Sequence, residues 1–151
     1  MAARDGMVDV SAKNVTLRTA KASSSIVLGD EAFATLRQGT CIKGDVLATA
    51  KVAAVNAVKS TPAIIPMCHP ILIEAIDVDF DLNDANASVA VTVTVKSSGK
   101  TGVEMEALVG ASVACLTIYD MLKYKSRDVV IGQTKLLEKT GGKSGSYKRP
   151  D

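Results

Sequence analysis

An acid and a lysine stand three residues apart near the end of a long apolar stretch. Asp120 and Lys123 follow residues 107–118, in which the only polar side chains are Ser112 and Thr117. Residues three apart share one face of a helix. Burial favours the neutral form of a carboxyl and a neighbouring ammonium favours its charged form, so such a pair can be tuned for proton transfer. The alternative is an ordinary helix ion pair, which is the commoner arrangement.

The only histidine, His69, lies in the loop Pro66-Met67-Cys68-His69-Pro70. Its flanking prolines restrict the backbone, which suits a side chain that must point at a ligand. A histidine with a structural hydrogen bond in a rigid turn is the alternative, and both stay open. A metal site is disfavoured because Cys68 and His69 are adjacent and no second histidine exists. A Cys–His nucleophile pair is disfavoured because adjacent side chains normally diverge.

Several cations could converge on a phosphate. Lys43 precedes Gly44-Asp45 at a predicted helix start, where backbone N–H groups favour anions. Taken singly, each of these cations is more often a solvated side chain, so only their convergence would matter. The candidates are Arg18, Lys43, Lys59, Lys123 and Lys139.

Residues 139–145 superficially resemble a phosphate-binding P-loop. That motif requires glycine where Leu137 stands and a helix after the loop, and the chain ends at Asp151. We therefore reject a P-loop and keep Lys139 and Lys143 as candidate anion contacts.

The element that must position these groups is a helix over residues 103–123. Its apolar residues recur at helical spacing on more than one face, so we expect it to be covered twice, by its own sheet and by a neighbouring subunit. Glu104 and Glu106 lie in its first turn. At about 1.5 Å of rise per residue, Glu106 and Asp120 lie roughly 21 Å apart. One site within one subunit could hardly use both, whereas a site shared between subunits could.

The order of elements predicts the fold. A strand over 15–28 precedes a helix from Asp30 to Gly39 and a second helix from Asp45 to about Lys59, and prolines exclude regular helix beyond that. Alternation over 75–82 and 89–95 predicts a hairpin, followed by the long helix and a last strand over 129–137. Two β-α-β halves joined by a hairpin predict an α+β, ferredoxin-like βαββαβ sandwich, an antiparallel sheet with helices on one face. We expect one domain over 1–151, with mobile ends at about 1–6 and 140–151.

Composition narrows the function classes. A net charge of +2, two Phe, three Tyr and no Trp argue against a general nucleic-acid binder. Three cysteines without Cys-x-x-Cys spacing favour a reduced, cytoplasmic protein, and no apolar run reaches membrane-spanning length.

Taken together, these segments resemble the cyclic pyranopterin monophosphate synthases, the molybdenum-cofactor biosynthesis protein C family. Any one match is weak, but the set is specific, stands in the family's order and spans nearly the whole chain. The matching segments are MVDVSAK (7–13), KGDV (43–46), PMCHP (66–70), GKTGVEMEAL (99–108), LTIYDM (116–121) and GGKSG (141–145). Met67 is a departure, because the family more often has leucine there, and that swap conserves volume.

The resemblance implies an enzyme and its site. The expected reaction converts 3′,8-cyclised dihydro-GTP into cyclic pyranopterin monophosphate and diphosphate, without an organic cofactor or resident metal, although a divalent cation could accompany the triphosphate. The expected assembly is a homohexamer, a trimer of dimers, with active sites at dimer interfaces. The residues implied as catalytic are Asp120, Lys43 and Lys123. Those implied for substrate binding are Met67, Cys68, His69, Met105, Glu106, Glu104, Arg18, Lys59 and Lys139.

A second class of function stays open on the residues alone. Ferredoxin-like oligomers also occur as regulatory modules that bind small anions, and a fold does not decide a function. Such a module would bind a nucleoside triphosphate unchanged and would tolerate loss of Asp120.

Overall fold

The computed structural model describes residues 5–151 of the chain. Residues 1–4, which hold most of the segment predicted to be mobile at the start, lie outside the described residues. The elements in chain order are β1 (Thr16–Val27), α1 (Asp30–Gln38), α2 (Val46–Ile64), β2 (Ala75–Asn83), β3 (Ser88–Gly99), α3 (Glu104–Leu122), β4 (Val130–Thr140) and β5 (Tyr147–Lys148).

The strands form one antiparallel sheet in the order β2-β3-β1-β4-β5. β1 and β3 lie at its centre, and the valines at alternate positions of β3 from Val89 to Val95 are fully buried. The first four strands follow the order of a ferredoxin-like sandwich, so the predicted α+β fold is confirmed. On β2 the predicted alternation also holds, with Val78 buried and Asp77 and Asp79 exposed.

Local signals explain most of the element boundaries. Gly39 ends α1 in the left-handed conformation, and the Asp45 carboxylate accepts the Ala48 N–H at 3.0 Å, so both of these predictions are confirmed. The predicted cap at Asp30 is wrong. Gly29 is the residue before the helix, and Asp30 is already helical.

The end of α2 is a second correction. The helix was expected to stop near Lys59, yet it continues through Pro62 to Ile64. A proline removes its own N–H and its ring crowds the carbonyl four residues earlier, but only two helical residues follow Pro62, so little of the helix depends on the lost bond. The last turn is held by the Ile65 N–H, which donates to Thr61 O at 2.9 Å.

α3 packs between the sheet and α2. Ala107, Ala111, Ala114 and Ile118 are fully buried against them, whereas Leu116 is 56% exposed on the opposite side. The expectation that no apolar run reaches membrane-spanning length is wrong for α3, which by length and composition alone is apolar enough to cross a membrane. Half of this helix is buried within the chain, as is typical of a core helix. The expected second covering layer would have to come from another chain.

Candidate active site

The carboxyl end of α3 brings together the three residues predicted to be catalytic. Lys123 Nζ lies 2.9 Å from Asp120 Oδ1, and Lys43 Nζ lies 3.4 Å from Asp120 Oδ2. The Lys43 ammonium also donates to the main-chain carbonyl of Asp120 at 2.9 Å. All three side chains are substantially exposed. One carboxylate therefore lies between two ammonium groups, in reach of a ligand.

The charges of this group stabilise one another. The hydrogen bond and charge of Lys123, followed by those of Lys43, lower the pKa of Asp120. The same contact with Asp120 raises the pKa of Lys123. The sequence analysis named burial and a neighbouring ammonium as opposing influences on the pKa of Asp120 and kept an ordinary ion pair as the alternative. In this chain Asp120 is exposed and paired, so the ammonium groups and not burial decide the direction of its pKa shift.

The amino end of α3 borders a cavity of about 720 Å³. Lys139 Nζ lies 2.8 Å from Glu104 Oε1 at its wall, and both side chains are about one-quarter exposed. Arg18 is largely buried, and its Nε donates to Gly99 O at 2.9 Å. The cavity is lined by Ala12, Lys13, Asn14, Thr16, Arg18, Thr101, Gly102, Glu104, Lys139, Gly141, Gly142, Lys143 and Ser144.

The cavity depends on two glycines of the segment after β4. Gly141 and Gly142 have φ angles of 94° and 83°. A Cβ on Gly141 would lie 2.2 Å from Leu17 O, and one on Gly142 would lie 2.3 Å from a guanidinium nitrogen of Arg18. Only glycine fits this close approach. The chain after Gly142, predicted to be mobile, returns to pair through β5 with β4, and the Arg149 N–H donates to Leu137 O at 2.8 Å.

The sequence analysis did not identify several of the residues that line the cavity. Lys13, Asn14 and Thr16 line the cavity from the segment before β1 and from its first residue. Lys13 closes one of the segments that carry the family resemblance, which was the available signal. Lys143, retained as an anion candidate, does line the cavity.

Glu106 and the Pro66–Pro70 loop meet beside this cavity. The Cys68 thiol donates to Glu106 Oε1 at 3.8 Å, and Glu106 is only 1% exposed. Its other oxygen, Oε2, is buried with no hydrogen-bond partner in the described part of the chain. Burial raises the pKa of Glu106, and the neighbouring Glu104 adds to the rise. Burial, followed by the charge of Glu106, likewise raises the pKa of Cys68.

The other substrate-binding candidates lie on the surface. His69 Nε2 lies 2.7 Å from Val8 O, which is the structural hydrogen bond of the alternative reading. Met67 is 60% exposed and Met105 is 37% exposed. Lys59 is exposed on α2 and makes no ion pair with the rest of residues 5–151.

Within one chain, the candidates therefore form two groups rather than one site. The acid group is Lys43, Asp120 and Lys123 at the carboxyl end of α3. The second group is Arg18, Glu104 and Lys139 at the amino end of α3, and it is called the anion group because its cations could bind an anion. Cys68 and Glu106 lie beside it. At about 1.5 Å per residue, the helix between the two groups spans roughly 27 Å. No cluster of three or more His, Cys, Asp or Glu side chains able to hold a metal ion occurs within residues 5–151.

The fold and these two groups define a ferredoxin-like α+β protein equipped to bind an anionic ligand. Residues 7–142 match the MoaC family. A cyclic pyranopterin monophosphate synthase of Brevibacillus brevis is 53% identical over 97% of this chain and 91% of its own length. One of Bacillus thuringiensis is 51% identical over 97% of this chain and 92% of its own. The chain belongs to the MoaC family, and the family resemblance predicted from the sequence is confirmed.

Among solved structures, a ferredoxin protease FusC bound to Arabidopsis ferredoxin overlaps 77% of this chain and 11% of that chain. Its TM-score of 0.34 at 18% identity is too low to support a common fold.

Proposed function

We propose that this chain is a cyclic pyranopterin monophosphate synthase of molybdenum-cofactor biosynthesis. It would convert 3′,8-cyclised dihydro-GTP into cyclic pyranopterin monophosphate and release diphosphate. Family membership and the names of the relatives support the enzyme class. The structural observation that carries the proposal is the pair of groups on α3: an acid between two ammoniums, and a cation-lined cavity large enough for a polyphosphate.

The cavity suits the phosphate half of the reaction. Closing a cyclic phosphate while expelling diphosphate places negative charge on the leaving oxygens, and fixed cations stabilise that charge. Arg18, Lys139 and Lys143 supply such cations around the cavity. Arg18 is held by its bond to Gly99 O and by the close approach of Gly142, so it is oriented before a ligand binds.

The acid group suits the ring half of the reaction. Remodelling a guanine-derived ring into a pterin requires several proton transfers, which positioned lysines and a carboxylate can relay. Asp120 holds both ammoniums close together, and displacement of that contact by substrate would remove the interaction that raises the pKa of Lys123. The conversion is redox-neutral, so it requires no flavin, nicotinamide or iron–sulfur cluster, whereas a divalent cation could accompany the triphosphate.

A shared site between two subunits would unite the two groups. The outer face of α3 carries Met105, Val109, Ser112 and Leu116 in a stripe that runs from one group toward the other. A two-fold axis crossing α3 near Ser112 and Val113 would set Asp120 of one subunit near Glu104 and Glu106 of its partner. The resemblance further implies a hexamer built as a trimer of such dimers, and the cysteine content agrees with a cytoplasmic location.

The experiment that tests this function is a two-product assay. Purified protein is incubated with the 3′,8-cyclised dihydro-GTP, and diphosphate and pterin are measured together. We expect both products, and we expect Asp120→Asn and Lys43→Ala each to lower turnover by about 100-fold or more, since acid–base residues commonly contribute at least that much. The fold should survive, because both side chains are exposed.

Arg37→Ala is a matched control, because it removes an exposed ion pair, the one with Asp84, without touching Asp120 or Lys43. Binding of the substrate without release of diphosphate would instead identify a regulatory module. Near-normal turnover in Asp120→Asn or Lys43→Ala would refute the role of that residue.

A further inference from the structure

Three consecutive residues of the loop between α1 and α2 bind the carboxyl end of α3. The Cys41 thiol donates to Met121 O at 3.3 Å, and the Ile42 N–H donates to Tyr124 Oη at 3.0 Å. Lys43 Nζ donates to Asp120 O at 2.9 Å. Side-chain and main-chain groups of the loop that carries Lys43 therefore both bind the end of α3.

These contacts supply hydrogen-bond donors to main-chain carbonyl groups at the end of α3. The last four carbonyls of a helix have no partner within the helix, and the partial negative charge there attracts cations. Asp120 O and Met121 O are two such carbonyls, satisfied by Lys43 and Cys41. A lysine has a long flexible stem, so the position of its ammonium depends on where the main chain of the loop is held. The hydrogen bonds of Cys41 and Ile42 hold the main chain of the loop at the two residues that precede Lys43.

Tyr124 is itself held in place. Lys125 Nζ lies 5.7 Å from the centre of the Tyr124 ring, and the same ammonium lies 3.7 Å from Glu31 Oε1 on α1. Tyr124 lies outside residues 116–121, the nearest segment that carries the family resemblance. Its proposed role rests on its contact with the Ile42 N–H.

We propose that Cys41 and Tyr124 are positioning residues for Lys43, which place its ammonium against Asp120 through the Met121 carbonyl and the Ile42 N–H. This inference rests on the proposed function, in which Lys43 acts on substrate. Neither side chain touches substrate in this scheme. Each acts by restricting the position of the loop main chain next to Lys43.

The kinetic test uses variants that differ by one hydrogen-bonding atom. Tyr124→Phe removes the acceptor for Ile42, and Cys41→Ala removes the donor to Met121. Cys41→Ser keeps a donor at that position. One neutral hydrogen bond corresponds to about a fivefold effect. We therefore expect Tyr124→Phe and Cys41→Ala each to lower kcat by about fivefold with KM within about twofold, and Cys41→Ser to stay near the original activity.

A second measurement follows Lys43 itself without substrate. In protein labelled with ¹³C at the lysine side chains, the Lys43 Cε–H signal is assigned by its loss in Lys43→Ala. We expect this signal to shift toward that of a free lysine in Tyr124→Phe and Cys41→Ala, and to stay in place in Cys41→Ser. Tyr124→Phe changes one atom of an exposed side chain, so it keeps the test decisive if Cys41→Ala folds poorly.

The outcomes separate the two proposals. An unchanged Lys43 signal in both Tyr124→Phe and Cys41→Ala would overturn the positioning role, as would equal loss of kcat in Cys41→Ser and Cys41→Ala. A shifted signal with unchanged kcat would also overturn it, because the position of Lys43 would then not matter for turnover. If the original protein releases no diphosphate, the proposed function fails, and the lysine signal alone decides whether these residues hold the loop.

Discussion

At the scale of single residues, Glu106 is a buried carboxyl without a cationic partner in the described part of the chain. Its carboxyl is buried, one oxygen accepts the Cys68 thiol at 3.8 Å, and the other oxygen has no partner within residues 5–151. The nearest charged group on its own element is Glu104, which is also acidic and is paired with Lys139. A buried carboxylate without a cation is unfavourable, which is why burial raises the pKa of Glu106. Glu106 therefore supports the Cys68 loop from inside the chain.

The protonation of Glu106 predicts a pH-dependent stability. Burial raises its pKa above the ordinary value of 4.5, so its favourable contribution is complete below about that pH. The contribution is lost as the pH rises through the raised pKa of the folded protein. Glu106→Gln keeps the shape without the charge, so we expect its stability relative to the original protein to increase from pH 4 to pH 8.

Chemical denaturation at several pH values measures this difference in the free energy of unfolding. Glu31→Gln, which removes an exposed carboxylate, is the matched control. A difference between Glu106→Gln and the original protein that does not change with pH would show that folding does not raise the pKa of Glu106.

At the scale of elements, the packing of α3 against α2 and the sheet depends on Gly110. A Cβ there would lie 2.7 Å from Val58 Cγ2 on α2 and 3.2 Å from Val93 Cγ1 on β3. Both valines are fully buried and cannot move aside into solvent. The glycine lets α3 lie close to both α2 and the sheet. This close packing sets the positions of the two ends of α3, where the acid group and the anion group form.

Gly110→Ala should therefore destabilise the protein. The better helix propensity of alanine is worth about 1 kcal/mol, whereas overpacking a dense core commonly costs about 1–3 kcal/mol, so we expect a net loss in the free energy of unfolding. Thermal and denaturant unfolding measure it. In a Val58→Ala background the clash is relieved, and there Gly110→Ala should be neutral or stabilising. Destabilisation by the same amount in both backgrounds would contradict the packing argument.

At the scale of the whole molecule, the separation of the two groups by roughly 27 Å of helix makes a shared site testable by complementation. Asp120→Asn damages the acid group, and Lys139→Ala damages the anion group. When the two variants are denatured together and refolded as a mixture, half of the dimers combine both chains, and one of their two sites is intact. We expect recovery of about a quarter of the original activity.

The matched control mixes Asp120→Asn with Lys43→Ala, whose defects lie in the same group. Every mixed dimer then has a damaged acid group in each site, so activity should stay near zero. Equal activity in the two mixtures would show that the site is not shared between subunits in this way.

The sequence alone predicted the elements from β1 to α3 and the strand β4 in their order, because these follow from interactions between near neighbours, but it missed β5. Alternation on β2 and β3, the Asp45 cap and the Gly39 stop depend on residues a few positions apart, and each was confirmed. The proline rule failed at Pro62, since the cost of a proline depends on how much helix follows it. Lys123 and Asp120 were likewise paired from their spacing on one helix.

Only the tertiary structure decided the electrostatics of the site and its division into two groups. Lys43 and Asp120 are 77 residues apart, and Cys68 and Glu106 are 38 apart, so no local pattern predicts their contacts. The burial of Glu106 and the exposure of Asp120 likewise depend on packing that the helix sequence alone does not define. A pKa depends on solvent and on charges from distant elements, and these are set only when the loops pack against the ends of α3.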